Sequence, residues 1–368
     1  MDTTVSAHEE TLAWLRLTLV PSMKRDAQRA LLNAFGSPVE ATRASPQVIA
    51  KLIGEPAAQS YVAGPRAALI DATLRWLEQP GCSLVVLGEA RYPKAFLNIA
   101  DPPTAFYAQG RVDLLNTPAF AIVGSRNATP QGLRDAEAFA LELSQAGLTI
   151  ASGMAIGIDA AAHRGGLAGE GSSIAVLGTG PDIVYPRRNR DLAHELAQRG
   201  CLITEFALGS PSVAGNFPQR NRLISGLSRG VLVVEASMPR SGSLITARCA
   251  ADQNRDVFAI PGSIHSPLSK GCHWLIKQGA KLVENADDVL EELGIAPKCE
   301  EPARKPGRKP DPLLDAIGFA PASIDQLAQR SNLDAATLAA RLSRLEIEGR
   351  VEALAGGWFQ RVDARDIE

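Results

Sequence analysis

The chain contains the stretch AIVGSR at residues 121–126, an apolar run followed by two small residues and an arginine. The run predicts a buried strand, and the glycine and serine after it predict a tight turn that exposes Arg126. In an open parallel sheet, ligands bind beyond the carboxyl ends of the strands, where backbone N–H groups attract anions. Gly124, Ser125 and Arg126 are therefore candidates for binding a phosphate, the alternative being an ordinary turn with a solvated arginine.

Apolar runs like this one recur through the middle of the chain and alternate with turns and amphipathic stretches. They are Ser83–Leu87, Phe120–Val123, Leu148–Ala151, Ile174–Leu177, Leu202–Thr204, Val231–Val234 and Val257–Ile260. Short apolar strands alternating with helices predict an α/β fold, with a parallel sheet covered by helices on both faces. This domain is expected to span residues 83–296.

The two ends of the chain follow other patterns. Residues 1–82 have apolar residues at helical spacing and predict a small helical domain. Residues 297–310 (PKCEEPARKPGRKP) hold four prolines and five basic residues and predict a linker. Residues 311–368 predict three helices and a strand pair, the pattern of a winged helix. Five arginines against seven acids within 311–362 favour protein contact or weak DNA contact by this module.

Composition limits the class of protein. The 368 residues include 38 Lys and Arg against 40 Asp and Glu, and 45% are hydrophobic, as in globular proteins. No apolar run is long enough for a membrane span, and the polar start is unlike a signal peptide. Five scattered cysteines without a CxxC favour reduced thiols over a disulfide framework or a zinc site. We therefore expect a cytoplasmic protein with no membrane, metal or cofactor.

A second glycine-rich strand end reads SGMAIGIDAAAH at residues 152–163. Ser152 and Gly153 follow the apolar run and leave the backbone open to a ligand. Asp159 and His163 are four residues apart and could share one helix face as an acid–base pair. The alternative, which we favour, is a helix-capping aspartate and a structural histidine.

The arginine-rich segment GNFPQRNRLISGL at 215–227 is the most informative motif. Residues 212–248 contain five arginines and one acid, inside a chain of net charge −2. Arginines beside an aromatic residue suit single-stranded nucleic acid, since the charges follow the backbone and the ring stacks on a base. Phe217, Arg220 and Arg222 are the candidates; the alternative is a solvated basic helix with Arg222 paired to a carboxylate.

Two further loops could meet phosphate. SGSLITAR at 241–248 places Ser243 at a helix start, although ordinary capping is the alternative. Lys270 follows the strand end at Ile260–Ser263. The chain contains no GxxxxGK[ST] phosphate loop and no HExxH metal motif. The third strand end, GTGPDIVYP at 178–186, lacks the spacing of a dinucleotide-binding loop.

Taken together, these motifs resemble the DprA/Smf family of bacterial DNA-processing proteins. The matching strings run from Tyr92-Pro93 through AIVGSRNAT, SGMAIGIDAAAH, GTGPDIVYP, FPQRNRLISGLS, VVEA and SGSLITAR to VFAIPGSI at 257–264. The resemblance implies an extended Rossmann-like core, a SAM-like N-terminal helical domain and a C-terminal winged helix. It also implies a homodimer that binds single-stranded DNA and loads the RecA recombinase during natural transformation, displacing single-strand-binding protein. The implied DNA-binding residues are Gly124, Ser125, Arg126, Ser152, Gly153, Phe217, Arg220, Asn221, Arg222, Ser243 and Lys270.

Two other functions remain open from the residues alone. One is a Rossmann-fold nucleotide-processing enzyme of the phosphoribohydrolase type, with Asp159 and His163 as acid and base. The glycine pattern of that group's phosphate loop is missing around Arg240–Leu244. The other is a protein-interaction scaffold whose arginines are surface charge. The family resemblance favours a DNA-binding recombination mediator that is not an enzyme and needs no cofactor.

Overall fold

The computed structural model describes residues 6–21, 23–239, 241–296, 311–318, 321–354 and 356–362. The predicted linker at 297–310 lies outside these ranges. Within them, no helix combines the length and apolar character that crossing a membrane requires. Four of the five cysteines are described, and all four are free thiols.

The amino-terminal region is helical, as its apolar spacing predicts. Serines accept hydrogen bonds from backbone N–H groups at two helix starts, Ser6 from Glu9 and Ser37 from Glu40. Trp14, Leu17 and Tyr61 lie in a core that also receives side chains from the first two strands of the sheet. The helices are α1 (Ala7–Leu19), α2 (Arg25–Phe35), α3 (Pro38–Arg43), α4 (Pro46–Ile53), α5 (Glu55–Ala63) and α6 (Ala67–Leu77).

The central region is built on a nine-stranded sheet within the described residues, ordered β1-β2-β6-β5-β4-β3-β7-β8-β9. All seven predicted apolar runs form strands in it. The strands are β1 (Cys82–Val86), β2 (Ala105–Gly110), β3 (Ala119–Val123), β4 (Thr149–Ser152), β5 (Ser173–Val176), β6 (Cys201–Thr204), β7 (Ser228–Val233), β8 (Asp256–Ala259) and β9 (Lys281–Leu282).

The sheet is mixed: its Rossmann-like core is parallel, as predicted, and an antiparallel pair of strands extends one edge. The seven strands from β6 to β9 pair in parallel. β1 pairs antiparallel with β2, and β2 pairs antiparallel with β6. An antiparallel pair at the edge of an otherwise parallel sheet is common in α/β folds. The predicted Rossmann-like core is confirmed for the parallel part.

Helices cover both faces of the parallel part, because alternate strand residues point to opposite sides. Phe120 and Ile122 pack under α7 and α8, while Ala121 and Val123 pack under the helices of the other face. One face carries α7 (Pro130–Gln145), α8 (Ile158–Ala168), α9 (Arg190–Arg199) and α13 (Ala286–Glu292). The other face carries α10 (Asn216–Leu227), α11 (Gly242–Asp252) and α12 (Lys270–Lys277).

The carboxyl-terminal region has the predicted winged-helix pattern of three helices and a strand pair. Leu313, Leu327 and Leu338 form its buried core. A two-residue strand, which the sequence pattern did not predict, completes a three-stranded sheet in the order β10-β12-β11. The elements are α14 (Pro312–Ile317), β10 (Ala322–Ser323), α15 (Ile324–Ser331), α16 (Ala335–Ile347), β11 (Val351–Leu354) and β12 (Trp358–Arg361).

Candidate functional site

The loops after β3, β4 and β5 lie side by side because these strands are neighbours in the sheet. We call the three loops, residues 124–129, 153–157 and 177–186, the carboxyl edge. β3 leads to β4 on one side, whereas β7, on its other side, leads to β8. This reversal is the switch point at which α/β folds form a ligand crevice. The carboxyl edge and the start of α10 beside it form the candidate site.

An exposed arginine and two aromatic rings form the surface of this site. The guanidinium carbon of Arg126 lies 5.5 Å from the ring centroid of Phe217. The ring of Tyr185 lies 5.8 Å from that of Phe217, tilted by 44°. Arg126 is exposed, Tyr185 is 43% exposed and Phe217 is half-buried. Such a group can stack on a planar ligand and neutralise an anion next to it.

Arg220 contacts this surface from within the protein. It is only 5% exposed, and its guanidinium carbon lies 5.9 Å from the Phe217 ring centroid. It donates to the carbonyl of Gly153 at 2.5 Å and to the carbonyl of Val176. Burial lowers the pKa of Arg220 to about 10, so the side chain stays charged at neutral pH. Arg220 thus joins the ends of β4 and β5 to α10.

Gly153 is required where Arg220 approaches. A Cβ there would lie 2.6 Å from the nitrogens of the Arg220 guanidinium. Its N–H donates to the Asp159 carboxylate at 3.1 Å, so neither of its backbone polar groups is directed to an external ligand. The structure therefore places Gly153 at the site, in contact with the arginine that supports it.

The other strand-end residues predicted for the site mainly hold its shape. Ser152 is buried and donates to the carbonyl of Ile122 at 2.6 Å. Gly124 packs against Ile158, and the carbonyl of Ser125 accepts from the Ile158 N–H at 3.1 Å. The Ser125 hydroxyl accepts from the N–H of Asn127 at 3.1 Å. These contacts fix the loop that carries Arg126.

Arg222 does not join the site, contrary to the prediction from its motif. Two residues along a helix do not face the same direction, so Arg220 and Arg222 point to different sides of α10. The guanidinium of Arg222 bonds the Glu205 carboxylate and the Asp101 carbonyl. Asp101 in turn accepts from two arginines of α2, with each N–O distance 2.6 Å. We call these five residues the ion cluster; they are Arg25, Arg29, Asp101, Glu205 and Arg222.

Asn221, Ser243 and Lys270 lie on neighbouring elements but are engaged internally. Asn221 is buried and donates to the carbonyl of Gly242 at 3.2 Å, which ties α10 to the start of α11. Ser243, also buried, shares a 2.7 Å hydrogen bond with Ser241. Exposed Lys270 donates to the carbonyl of Ile264. Their contacts position the loops beside the site.

Asp159 and His163 are both buried and hydrogen-bonded within the protein. The Asp159 carboxylate accepts from the N–H groups of Gly153 and Ala155 at 3.1 and 3.3 Å. His163 is fully buried, its Nδ1 lies 2.8 Å from the Ser173 hydroxyl, and its Nε2 accepts from the Met154 N–H. Burial lowers its pKa to about 3, which keeps the ring neutral. Both side chains are thus engaged in internal hydrogen bonds, which favours the structural interpretation.

Two residues of this region were not among the predicted site residues. Tyr185 was part of the GTGPDIVYP string, and an aromatic residue just after a strand end was the signal that could have identified it. Glu235, which follows β7, accepts two hydrogen bonds from Thr129 across the crevice. In the described ranges, no group of three or more His, Cys, Asp or Glu residues is arranged to hold a metal.

Comparison with known proteins places the chain in a family. The model described as DNA recombination-mediator protein A matches residues 83–294, and a DprA winged-helix model matches residues 297–357. The Smf protein of Escherichia coli K12 is 42% identical over 314 residues, covering 82% of this chain and 83% of that protein. A DprA of Streptococcus pneumoniae R6 is 47% identical over 202 residues, covering 55% and 71%.

Two solved structures resemble the chain. DNA processing protein A of Streptococcus pneumoniae superposes with a TM-score of 0.65 at 37% identity, covering 77% of this chain and 96% of that one. DNA processing protein A of Helicobacter pylori, reported for its single-stranded DNA binding mode, gives a TM-score of 0.52 at 31% identity, covering 57% and 95%. The matched length and identity show that the chain belongs to the DNA recombination-mediator protein A family.

Proposed function

We propose that this protein binds single-stranded DNA at the carboxyl edge. The observation that carries the proposal is the exposed grouping of Arg126, Phe217 and Tyr185. The rings offer stacking surfaces to bases and Arg126 offers a permanent positive charge to the backbone, a combination that accepts any base sequence. The similar Helicobacter pylori protein, reported for its single-stranded DNA binding mode, supports the proposal.

The mode of binding follows from the different exposure of the residues. Arg126 and Tyr185 contact DNA directly, and Phe217 provides the surface between them. Arg220, Gly153 and Ser152 are positioning residues, because their polar groups are engaged within the protein. The carboxyl edge is shaped or flanked by five further residues, Gly124, Ser125, Asn221, Ser243 and Lys270. No catalytic step is part of this proposal.

The biological role that we propose is loading of RecA onto single-stranded DNA in the cytoplasm during DNA uptake and recombination, with displacement of single-strand-binding protein. Family membership supports this role. We also propose a homodimer formed through the Rossmann-like domain, where large apolar side chains are exposed, such as Ile264 at 66%. The expected domains remain 1–82, 83–296 and 311–368.

We propose that the winged helix contacts protein more than DNA. Its longest helix, α16, carries Arg341 and Arg344, and both are paired within the module. Arg341 lies 3.4 Å from Asp311, and Arg344 lies 2.9 Å from Glu348. A helix that reads duplex DNA directs its cations to phosphates and bases, so this pairing supports the interpretation.

The first test is fluorescence anisotropy of a labelled oligothymidylate at several salt concentrations, with a duplex of equal length beside it. We expect preference for the single strand and affinity that falls with salt. Arg126→Ala should weaken binding to oligomers of any sequence and reduce the salt slope by about 0.7, the value for one neutralised phosphate of a single strand. Arg75→Ala, which removes an exposed arginine from α6, is the matched control and should change neither quantity.

Two results would overturn the DNA-binding proposal: no binding at low salt, or equal weakening in the Arg126 and Arg75 variants. The RecA role needs a second assay, the rate of RecA filament growth on single strands coated with single-strand-binding protein. We expect the protein to accelerate growth, and Arg126→Ala to require more protein for the same rate. Tight binding without acceleration would remove the RecA role and leave the DNA-binding role intact.

A further inference from the structure

Glu235 bridges the ligand crevice of the sheet. It follows β7, while Thr129 ends the loop that follows β3, so the two residues stand on opposite sides of the switch point. One Glu235 carboxylate oxygen accepts from the Thr129 N–H at 3.0 Å, and the other accepts from the Thr129 hydroxyl at 2.7 Å. Both oxygens are thus bound to the residue that caps α7.

The start of α7 is shaped around this carboxylate. A Cβ on Gly132 would lie 2.6 Å from the carboxyl carbon of Glu235, so a larger residue there would displace the carboxylate from this position. The Gly132 N–H donates to the Thr129 hydroxyl at 3.0 Å, which in turn donates to Glu235. Two hydrogen bonds from Thr129, and one from Gly132 to Thr129, therefore connect the start of α7 to one carboxylate.

This position is the one at which parallel α/β folds bind phosphate. The partial positive charge at a helix N-terminus and its free N–H groups attract an anion, and the switch-point crevice gives a nucleotide room to enter. In this chain α7 runs over Pro130–Gln145, and the anion at its N-terminus is part of the protein itself. An entering phosphate would meet a negative charge and find the N–H groups of Thr129 and Gly132 already engaged.

We propose that Glu235 is a specificity-determining residue, whose carboxylate takes the place of a nucleotide phosphate at the switch point and so excludes free mononucleotides and inorganic phosphate. The occupied crevice separates the Arg126 surface, on the β3–β5 side, from the β7–β8 side of the sheet. This role of Glu235 is independent of whether the carboxyl edge binds DNA.

The test compares two variants with the unaltered protein. Glu235→Ala empties the position, while Glu235→Gln keeps its shape and removes the charge. Burial raises the pKa of the Glu235 carboxyl, the Thr129 hydrogen bonds lower it, and the nearby Asp135 raises it; Asp135 remains in every variant, so a difference in affinity reports the change at position 235. Glu10→Ala, which removes one exposed negative charge from α1, is the matched control. Binding of ADP and of inorganic phosphate is measured by calorimetry and by thermal shift.

We expect Glu235→Ala to bind ADP on the order of tenfold more tightly than the unaltered protein, because an anion at a helix N-terminus is stabilised by about that factor. The affinity for inorganic phosphate should also be higher in Glu235→Ala than in the unaltered protein, and Glu10→Ala should show no gain in affinity for either ligand. If Glu235→Ala does not fold, Glu235→Gln decides the question through loss of charge repulsion. The proposal is overturned if the folded variants gain nothing, or if the unaltered protein already binds ADP as tightly as they do.

Discussion

The carboxyl edge and the ion cluster use arginines in opposite ways, although one helix supplies both. At the carboxyl edge, the Arg220 guanidinium donates to backbone carbonyls and lies near the Phe217 ring, which the exposed Arg126 also approaches. In the ion cluster, Arg222 is held by carboxylates, and both it and Glu205 have side chains less than 15% exposed. The first arrangement leaves a positive charge facing solvent; the second pairs each of its arginines with a carboxylate of the protein.

The ion cluster also joins regions that the carboxyl edge does not. Arg25 and Arg29 belong to α2, Asp101 precedes β2, and Glu205 follows β6. Gln28 of α2 adds a neutral contact nearby, with Thr104. The cluster therefore attaches the amino-terminal helices to the central sheet and to α10. A high local density of arginine in a sequence predicts a charged segment, but the helix periodicity decides which arginines reach a ligand.

The largest expected effects come from replacing each of the two arginines of α10 in turn, one at the carboxyl edge and one in the ion cluster. Arg220→Met leaves the carbonyls of Gly153 and Val176 without their charged donor, and should lower the free energy of unfolding by about 3 kcal/mol. It should also abolish measurable binding of oligothymidylate, because Phe217 loses its support. Arg222→Met should destabilise by a similar amount yet leave the affinity of the folded protein within about twofold. Urea unfolding and anisotropy measure the two effects.

Arg220→Lys provides a second route if the methionine variant is too unstable to assay. Lysine keeps the charge, but it cannot also supply the Nε–H group that donates to the Asn221 side chain or the planar group that lies near the Phe217 ring. Equal effects of the Arg220 and Arg222 variants on DNA affinity would contradict the division between carboxyl edge and ion cluster.

A smaller, more specific effect is expected for Phe217→Leu. Leucine fills much of the space beside Gly178 but offers no face to a base or to Arg126. Affinity for single strands should fall by about 1–3 kcal/mol, the usual contribution of one stacked base, with little change in the unfolding midpoint. Phe35→Leu, at a half-buried position on α2, is the control, and it should alter stability without altering affinity. An unchanged affinity in the Phe217 variant would show that the ring is not a stacking platform.

Much of the fold could be predicted from the sequence because strands buried on both faces appear as continuous apolar runs. All seven such runs became strands, and the winged-helix pattern was confirmed by both the structure and the family comparison. β9 carried little signal, since it has two residues and both are exposed. β2 did carry one, the apolar run AFYA, but its antiparallel direction depends on pairing with β1 and β6, which composition does not encode.

The candidate site could be predicted only as a set of strand ends. Arg126 and Phe217 are 91 positions apart and meet because the sheet order places their loops together. The partners of Arg222 could not be predicted for the same reason, since Asp101 lies 121 residues earlier in the chain. The role of each residue toward DNA remains a prediction. The structure changes the expected role most for Arg222, because it places that side chain in the ion cluster.

The smallest expected effect belongs to the ion cluster and depends on pH. Burial raises the pKa of Asp101, but the guanidinium groups of Arg29, Arg222 and Arg25 outweigh burial and hold the pKa below its usual value. A carboxyl with a lowered pKa stabilises the fold above its unfolded pKa, and that stabilisation is lost as the pH falls through its folded pKa. Asp101→Asn should therefore cost about 1 kcal/mol at pH 7, a value reduced for the partial exposure of the side chain.

Below about pH 4 the difference between Asp101→Asn and the unaltered protein should shrink, as both side chains become neutral. Urea unfolding at pH 7 and near pH 3 measures it. Asp26→Asn is the matched control, because Asp26 also pairs with Arg29 but its side chain is 88% exposed. That variant should change stability little at either pH, since an exposed pair is screened by solvent. A pH-independent effect of Asp101→Asn would mean that packing of the residue, and not its charge, attaches the amino-terminal helices to the sheet.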